Sequence, residues 1–374
     1  MRLRYLKVDN FRNYAAEELY WDEQINLLHG LNAQGKSNLL EAVCYLGIAT
    51  SFRGAAEQEL IRWGEDYFFL AGQVEREREG RLDLSAAANR CRQRRWRVNG
   101  EPRHRLSDVV GLLHTVIFAP EDIQLVKAGP DSRRRFLNQL LSQLDQDYCR
   151  LLISYNRVLR QRSALLKQWE WQDGEKAAAQ EEQLSLWDRQ LIDLGAPVAL
   201  RRQQTIARLS QIAADLHRGL SGGEELALVY ENSACPHEQA ADAEQIKESF
   251  RTELDRVARS ERQRGLSLSG PHRDEISVLL DGKPARSFGS QGQQRTAALS
   301  LKLAELELAR EVRGEYPVLL LDDVLSELDA ERRRAIMRLA VGKTQTFITA
   351  VEGDLPRISG KKWLVEAGRV TGGR

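Results

Sequence analysis

Residues 30 to 37 read Gly-Leu-Asn-Ala-Gln-Gly-Lys-Ser, which satisfies G-x-x-x-x-G-K-[ST] at every fixed position. The chemistry this spacing can do is phosphate binding. Gly30 and Gly35 let the backbone curl around Leu31, Asn32, Ala33 and Gln34 so that amide N–H groups face phosphate oxygens, and a following helix N-terminus adds partial positive charge. Lys36 is placed for β- and γ-phosphates and the Ser37 hydroxyl for Mg²⁺. The flanks supply what must position the loop. Ile25 to His29 is an apolar run that can end as a buried strand, and Asn38 to Leu46 carries apolar residues at helical spacing. The chain is expected to bind a nucleoside triphosphate.

Such a loop needs an acid on a neighbouring strand. Pro317-Val-Leu-Leu-Leu-Asp322-Asp323 predicts a fully buried parallel strand with two carboxylates at its C-terminal end, where open α/β sheets place ligands. Asp322 is expected to hold Mg²⁺ and Asp323 to orient or deprotonate the attacking water, as the catalytic residue. The motifs lie about 285 residues apart, too far for a single compact P-loop kinase domain, so an insert is expected. A second anion-binding device, Ser290-Gln-Gly292-Gln293-Gln-Arg295, precedes a helix expected over 296–312. This order resembles the ATP-binding-cassette class, in which the second loop completes the site of another copy and ATP holds two heads together. Leu220-Ser221-Gly222-Gly223-Glu224 looks closer to the cassette signature, yet it precedes a strand-like run and reads as a turn ending a helix. Ser326 to Asp329 fits the loop that crosses a head dimer, making Asp329 a nucleotide contact. Thr344 to Ala350 reads as the next buried strand, with Thr349 where transport cassettes often carry a switch histidine.

Composition excludes some classes. The 374 residues carry 42% hydrophobic and 29% charged side chains with a net charge of +1, so overall charge does not announce a nucleic-acid partner. No run approaches the 18 or more apolar residues of a membrane span, and the N-terminus lacks a signal-peptide core. Four scattered cysteines argue against a disulfide framework, and Cys235-Pro-His237 does not complete a metal site. The chain reads as cytoplasmic and reduced.

The remaining stretches set the architecture. Strand-like runs fill roughly the first 125 residues, and Asn99-Gly100 marks a hairpin. Seven arginines lie between Arg90 and Arg105, with Trp96 among them. Arg94, Arg95 and Arg97 are therefore candidate DNA contacts; the competing reading is an edge strand charged against aggregation. From Gly129 the pattern turns helical. Asp131 is a candidate cap, leucines and tyrosines recur from Leu137 to Leu159, a second run is interrupted at Pro197 and resumes to about Leu216, and a third carries Ile246 to Val257. The runs read as too few and too short for a long coiled-coil arm. Strands return near Ser269, with Asp281-Gly282 turning a hairpin that extends to Phe288, and His272 reads as a turn or packing residue. The fold class is α/β: a P-loop ATPase head of mixed sheet and helices over 1–128 and 265–374, with a mostly helical arm inserted over 129–264.

Together these motifs resemble the RecF family of bacterial recombination-repair ATPases, relatives of SMC heads. The resemblance runs the whole length. It rests on Asn10-Phe-Arg12-Asn13-Tyr14, the phosphate loop, Phe118-Ala-Pro-Glu-Asp122, Arg133 to Leu137, Gly270-Pro-His-Arg-Asp274, Ser290 to Arg295 and Leu321 to Asp329. It implies an ABC-type, ATP- and Mg²⁺-using, DNA-binding homodimer with weak DNA-stimulated ATPase activity. It implies work with RecR and RecO to load RecA on gapped DNA, in replication, repair and the SOS response, and it makes Arg12 and Asn13 nucleotide contacts. The glutamine that coordinates Mg²⁺ in many cassettes has no evident match near Phe118 to Gln124. Two other classes share parts of the pattern. A transporter ATPase subunit lacks the arginine-rich hairpin and the Phe118 and Gly270 motifs, and a small-molecule P-loop kinase lacks the second loop near Ser290.

Overall fold

The computed structural model describes residues 1–169, 175–236, 241–351 and 359–372; His237 lies outside them. In chain order the strands are β1 (Arg2–Phe11), β2 (Tyr14–Tyr20), β3 (Ile25–Gly30), β4 (Tyr67–Arg76), β5 (Gly80–Asn89), β6 (Arg94–Val98), β7 (Glu101–Arg103), β8 (Thr115–Phe118), β9 (Leu226–Glu231), β10 (Glu275–Leu280), β11 (Lys283–Pro284), β12 (Val318–Leu321), β13 (Thr346–Val351), β14 (Lys361–Glu366) and β15 (Arg369–Gly372). The chain divides into two compact units, one of residues 1–123, 216–223 and 295–374, the other of 124–215 and 224–294.

The first unit holds two six-stranded sheets. One is antiparallel, in the order β2-β1-β4-β5-β6-β7. Alternation forms it: Leu6 and Val8 are fully buried while Lys7 and Asp9 between and after them are partly exposed, as period two demands of a half-buried sheet, and a register shift between Leu3 and Tyr5 returns Leu3 to the buried face. The other runs β15-β14-β3-β13-β12-β8, with only β15 antiparallel. Its central strands read as continuous apolar runs because both faces are covered. Leu27, Phe118, Leu319, Leu321 and Ile348 pack with Leu299, Leu303 and Leu306 of the helix Gln291–Arg313 and with Ile336 of the helix Ala330–Ala340.

The second unit is mostly helical, with the small sheet β11-β10-β9. The helices Pro130–Leu144 and Gln146–Lys167 meet at Asp145, whose carboxylate accepts the Asp147 and Tyr148 N–H groups. The cap of the first helix is Gly129 with Pro130 at its first position, so Asp131 lies inside the first turn rather than capping it. The run expected to break at Pro197 is one helix, Glu175–Ser221, of 47 residues, about 70 Å at 1.5 Å per residue. Proline removes one helix hydrogen bond, but Ala196, Val198 and Ala199 around it are fully buried. Ala196 and Ala199 pack in a core with Tyr155, Leu191 and Phe250, and this packing carries the helix through. The arm therefore contains a helix longer than the sequence pattern suggests. Residues 265–294, which the sequence reading assigns to the head, fall in this unit, since β10 pairs with β9 over its whole length. The hairpin at Asp281-Gly282 forms with both residues at positive φ, but β11 ends at Pro284 and a turn of helix, Ala285–Phe288, replaces the expected strand.

Candidate functional site

The phosphate loop leaves β3 and enters the helix Lys36–Ile48. Gly30 and Gly35 have φ of 150° and 117°, conformations that side-chain-bearing residues rarely hold. Space enforces the same choice. A Cβ on Gly30 would collide with the Val365 carbonyl oxygen of β14, and one on Gly35 would lie 2.6 Å from the Asn13 amide nitrogen. The turn between β1 and β2 buttresses the loop: Asn13 Nδ2 donates to the Gln34 carbonyl at 2.8 Å and the Tyr14 hydroxyl to the Gly35 carbonyl at 2.9 Å. On the other side the Ala367 N–H donates to the Gln34 side chain at 2.7 Å, and the Gly368 N–H to the Gln34 carbonyl at 3.1 Å. Leu31, Asn32 and Ala33 stay exposed at the crest. Lys36 is buried and its ammonium donates to the Gly30 and Leu31 carbonyls at 2.9 Å each.

The acids arrive on the adjoining strands. Parallel pairing of β3, β13, β12 and β8 brings their C-terminal ends to one edge. The Asp322 N–H donates to the Phe118 carbonyl at 2.9 Å, seating the acid just past β12. The Asp322 carboxyl is pushed up by burial and by the neighbouring Asp323 charge, against the Ser37 hydroxyl, the Arg53 guanidinium and the Thr349 hydroxyl, which favour its ionised form. Ser37, the other residue read as a Mg²⁺ ligand, thus lies near enough to Asp322 for its hydroxyl to favour the carboxylate. Thr349 on β13 accepts the Asp323 N–H at 2.8 Å, and its hydroxyl lies 3.2 Å from a carboxylate oxygen of both Asp322 and Asp323. Asp323 is left-handed, with φ of 51°, which aspartate tolerates better than most residues.

Sequence reasoning missed Arg53. It sits in a turn after the phosphate-loop helix, with its guanidinium 3.3 Å from Asp322 and 3.4 Å from the Asn38 side chain; a lone arginine in a turn carries no motif. It also missed Glu41, which is fully buried and takes both Arg12 Nε and Nη2, at 2.8 and 3.0 Å. Arg12, expected as a nucleotide contact, spends its guanidinium on this pair and on the Glu59 carbonyl.

The second anion device lies in the other unit except for Arg295. Its helix starts at Gln291, five residues earlier than expected, so Gly292 and Gln293 form the first turn. Ser290 and Gln293 make a reciprocal capping box: the Ser290 N–H donates to Gln293 Oε1 at 2.8 Å and the Gln293 N–H to Ser290 Oγ at 3.2 Å. Arg295 is exposed. Ser221, by contrast, closes a helix before Gly222 and Gly223, both at positive φ. Asp329 caps the helix Ala330–Ala340, accepting from the Glu331 and Arg332 N–H groups at 3.1 and 2.9 Å; these bonds hold its carboxyl below the usual range.

The arginine-rich hairpin divides by face. Trp96 is buried, its ring stacked on Tyr45 at 5.6 Å and 14°, so it is core rather than a base-stacking residue. Arg94 shares that side and is tied to Glu57 at 2.6 Å. Arg95 and Arg97 alternate onto the opposite, open face and carry no ion pair among the described residues. Asn99 and Gly100, both at positive φ, make the expected turn. His272 is buried, with Nδ1 2.7 Å from the Tyr155 hydroxyl and Nε2 3.2 Å from the Ser267 carbonyl, a packing residue as expected. Among the described residues no group of His, Cys, Asp and Glu forms a ready metal cluster, and no helix is long and apolar enough to cross a membrane.

Comparison with known proteins places the chain by family and fold. The RecF/RecN/SMC N-terminal domain family matches residues 2–361. A DNA replication and repair protein RecF from Halothermothrix orenii is 42% identical over 349 residues, spanning 93% of this chain and 91% of the relative. Its counterpart from Bacillus subtilis is 39% identical over 355 residues, spanning 95% and 94%. A solved structure of the recombination mediator protein RecF with ATP, in the RecFOR pathway, superposes with a TM-score of 0.92 at 36% identity, covering 100% of this chain and 97% of that one. An Smc head domain from Pyrococcus furiosus shares the fold, with a TM-score of 0.56 at 14% identity over 99% of this chain and 96% of its own. The chain belongs to the RecF/RecN/SMC N-terminal domain family, and within it to the RecF proteins.

Proposed function

We propose that the chain is an ATP-dependent DNA-binding protein of DNA replication and recombinational repair, and that ATP joins two copies of it. The observation that carries the reading is Asp322, seated at the C-terminal edge of the parallel sheet, facing a phosphate loop that only glycine can form at Gly30 and Gly35. The residues fit MgATP. The crest at Leu31 to Ala33 is exposed, the Lys36 ammonium is held on loop carbonyls, and a hydroxyl and a carboxylate lie near each other as oxygen donors suited to a hard cation. A bound Mg²⁺ would neutralise phosphate charge there. Ser37 and Asp322 would hold that ion, Lys36 would turn from its carbonyls to the phosphates, and Asp323, steadied by Thr349, would orient the attacking water and accept its proton. Asn13 stiffens the loop, and Arg12 acts through Glu41 on the same helix. Ser290, Gly292, Gln293 and Arg295 would serve the ATP bound by a second copy, with Asp329 ordering the loop after Asp323. Hydrolysis is expected to be slow and DNA-stimulated.

The similarity to RecF proteins of the RecFOR pathway supports RecR and RecO as partners, RecA loading on gapped DNA as the outcome, and a part in the SOS response, in the cytoplasm. Sedimentation of the purified chain with ATP and duplex DNA, separately and together, tests the core of this. ATP-dependent dimers that bind DNA are the expected result. A monomer in saturating MgATP would refute the dimer, and an unchanged DNA affinity would refute the gating.

A further inference from the structure

Trp63 is 96% exposed, the extreme among the large hydrophobic side chains of the described residues. It sits at the second position of a tight turn, closed by the Glu65 N–H donating to the Arg62 carbonyl at 3.1 Å, with Gly64 at φ 88° in the third. This is the geometry of a type II turn, which fixes the backbone beneath the indole. A Cβ on Gly64 would meet nothing within 4 Å, so the turn stands open to solvent. A second loop is fastened beside it. The Arg90 N–H donates to the Asp66 carbonyl at 3.0 Å and its Nε to the Glu65 carbonyl at 2.7 Å, which brings Arg90 next to the turn; Arg92, two residues on in the same loop, is exposed as well. Tyr67, at the start of β4, is 52% exposed. Of the nearby acids, Glu57 is held by Arg94 and Glu65 by Asn10 and Arg62; Asp66 is exposed.

A solvated indole on a backbone fixed by a tight turn, with an arginine fastened beside it, matches one chemistry well: an unpaired base stacked on the ring while its flanking phosphates meet guanidinium groups. We infer that Trp63, with Arg90 and Arg92, is a contact for an unpaired nucleotide, so that this edge recognises the single-stranded side of a gap or junction rather than the duplex. The inference rests on the DNA-binding reading above and adds to it a residue that separates gapped from fully paired DNA. In a closed duplex every base face is already stacked, and Trp63 gains nothing there.

The test uses the full-length protein with ATP and two DNAs, a blunt duplex and a gapped duplex bearing 2-aminopurine at the first unpaired position. Wild-type protein should quench the 2-aminopurine and prefer the gapped DNA. Trp63→Ala should abolish the quenching and weaken gapped-DNA binding about tenfold, the loss of one stacked base, while leaving duplex affinity and ATP turnover unchanged. Trp63→Phe, which keeps a stacking face, should retain most of the effect. Equal loss on both DNAs, or no loss on either, overturns the inference while leaving DNA binding intact. Failure of the wild-type protein to bind either DNA overturns the DNA-binding reading itself.

Discussion

The Arg53 guanidinium lies 3.3 Å from the Asp322 carboxylate, on an acid whose burial favours the protonated form. Arg53 thus helps keep the proposed Mg²⁺ ligand ionised. Without it the Asp322 carboxyl rises further, so the acid limb of ATP turnover should move to higher pH in Arg53→Ala, and Arg53→Lys should restore part of the shift. Arg53 is partly exposed, so the change in turnover at neutral pH should be about two- to fivefold, the range of a solvated ion pair. A pH–rate profile measures this, and an acid limb that does not move in Arg53→Ala would remove Arg53 from the site.

Lys36 and Asp323 should fail in different ways. Lys36→Met removes the cation at the phosphates and should abolish ATP binding and, with it, ATP-dependent DNA binding. Asp323→Asn keeps the left-handed backbone, since asparagine tolerates αL as aspartate does. It should bind ATP and dimerise while turnover falls about 10²-fold or more, the loss of a positioned base. Equilibrium nucleotide binding and single-turnover hydrolysis separate the two. If Asp323→Asn loses ATP affinity, the residue is a binding group and not the base.

Ser290 serves a helix as well as the proposed second copy. Ser290→Ala should cost only the cap, about 1 kcal/mol, with dimerisation reduced but present. Ser290→Arg should block ATP-dependent dimerisation in sedimentation while leaving ATP binding to the monomer. Ser221→Arg, at the end of a helix, should dimerise normally; the reverse pattern would make Leu220–Glu224 the signature.

His272 predicts acid sensitivity. Burial pushes its imidazole down to about 4, so the folded chain keeps it neutral where the unfolded chain, near 6.5, takes up a proton. Stability should therefore be lost as pH falls from about 6.5 towards 4, by up to about 3 kcal/mol from this group. Urea midpoints of wild type and His272→Gln across that range check the sign: the variant should show the shallower loss. Parallel curves would mean that His272 takes up protons alike in the folded and unfolded chains, and the proposed cause would be wrong.

What the sequence made legible was the chemistry with fixed local geometry. The phosphate loop, the strand leading to Asp322 and both Asn/Asp-Gly turns depend on residues near in sequence, and each formed where expected. What it hid depends on tertiary packing. The helix through Pro197 survives because its flanking residues are buried, a fact no local propensity carries. Arg53 and Glu41 acquire their partners only when the turn after the phosphate-loop helix folds back to Asp322 and the β1–β2 turn reaches Glu41. Trp96 departs from its expected place for the same reason. The arginines around Trp96 suggested a wet surface, yet strand alternation turns its ring onto Tyr45, while Trp63 stands exposed in a turn that no pattern singled out.

That alternation sharpens the last prediction. Arg94 points with Trp96 towards Glu57, so its loss should disturb the packing of β6 rather than DNA contact. Arg95 and Arg97 share the open face. If they meet DNA phosphates, Arg95→Glu with Arg97→Glu should weaken duplex binding at low salt and flatten the salt dependence by about two units of log–log slope, roughly 0.9 per contact. Nucleotide affinity should stay unchanged, because neither residue touches the phosphate loop. The competing role, charge that protects an exposed strand from edge pairing, makes a different forecast: an unaltered salt slope with increased aggregation of the double variant. Filter-binding titrations across a salt series, run beside light scattering on the same samples, decide between them, and Arg94→Ala, measured alongside, should move the melting temperature and leave the slope alone.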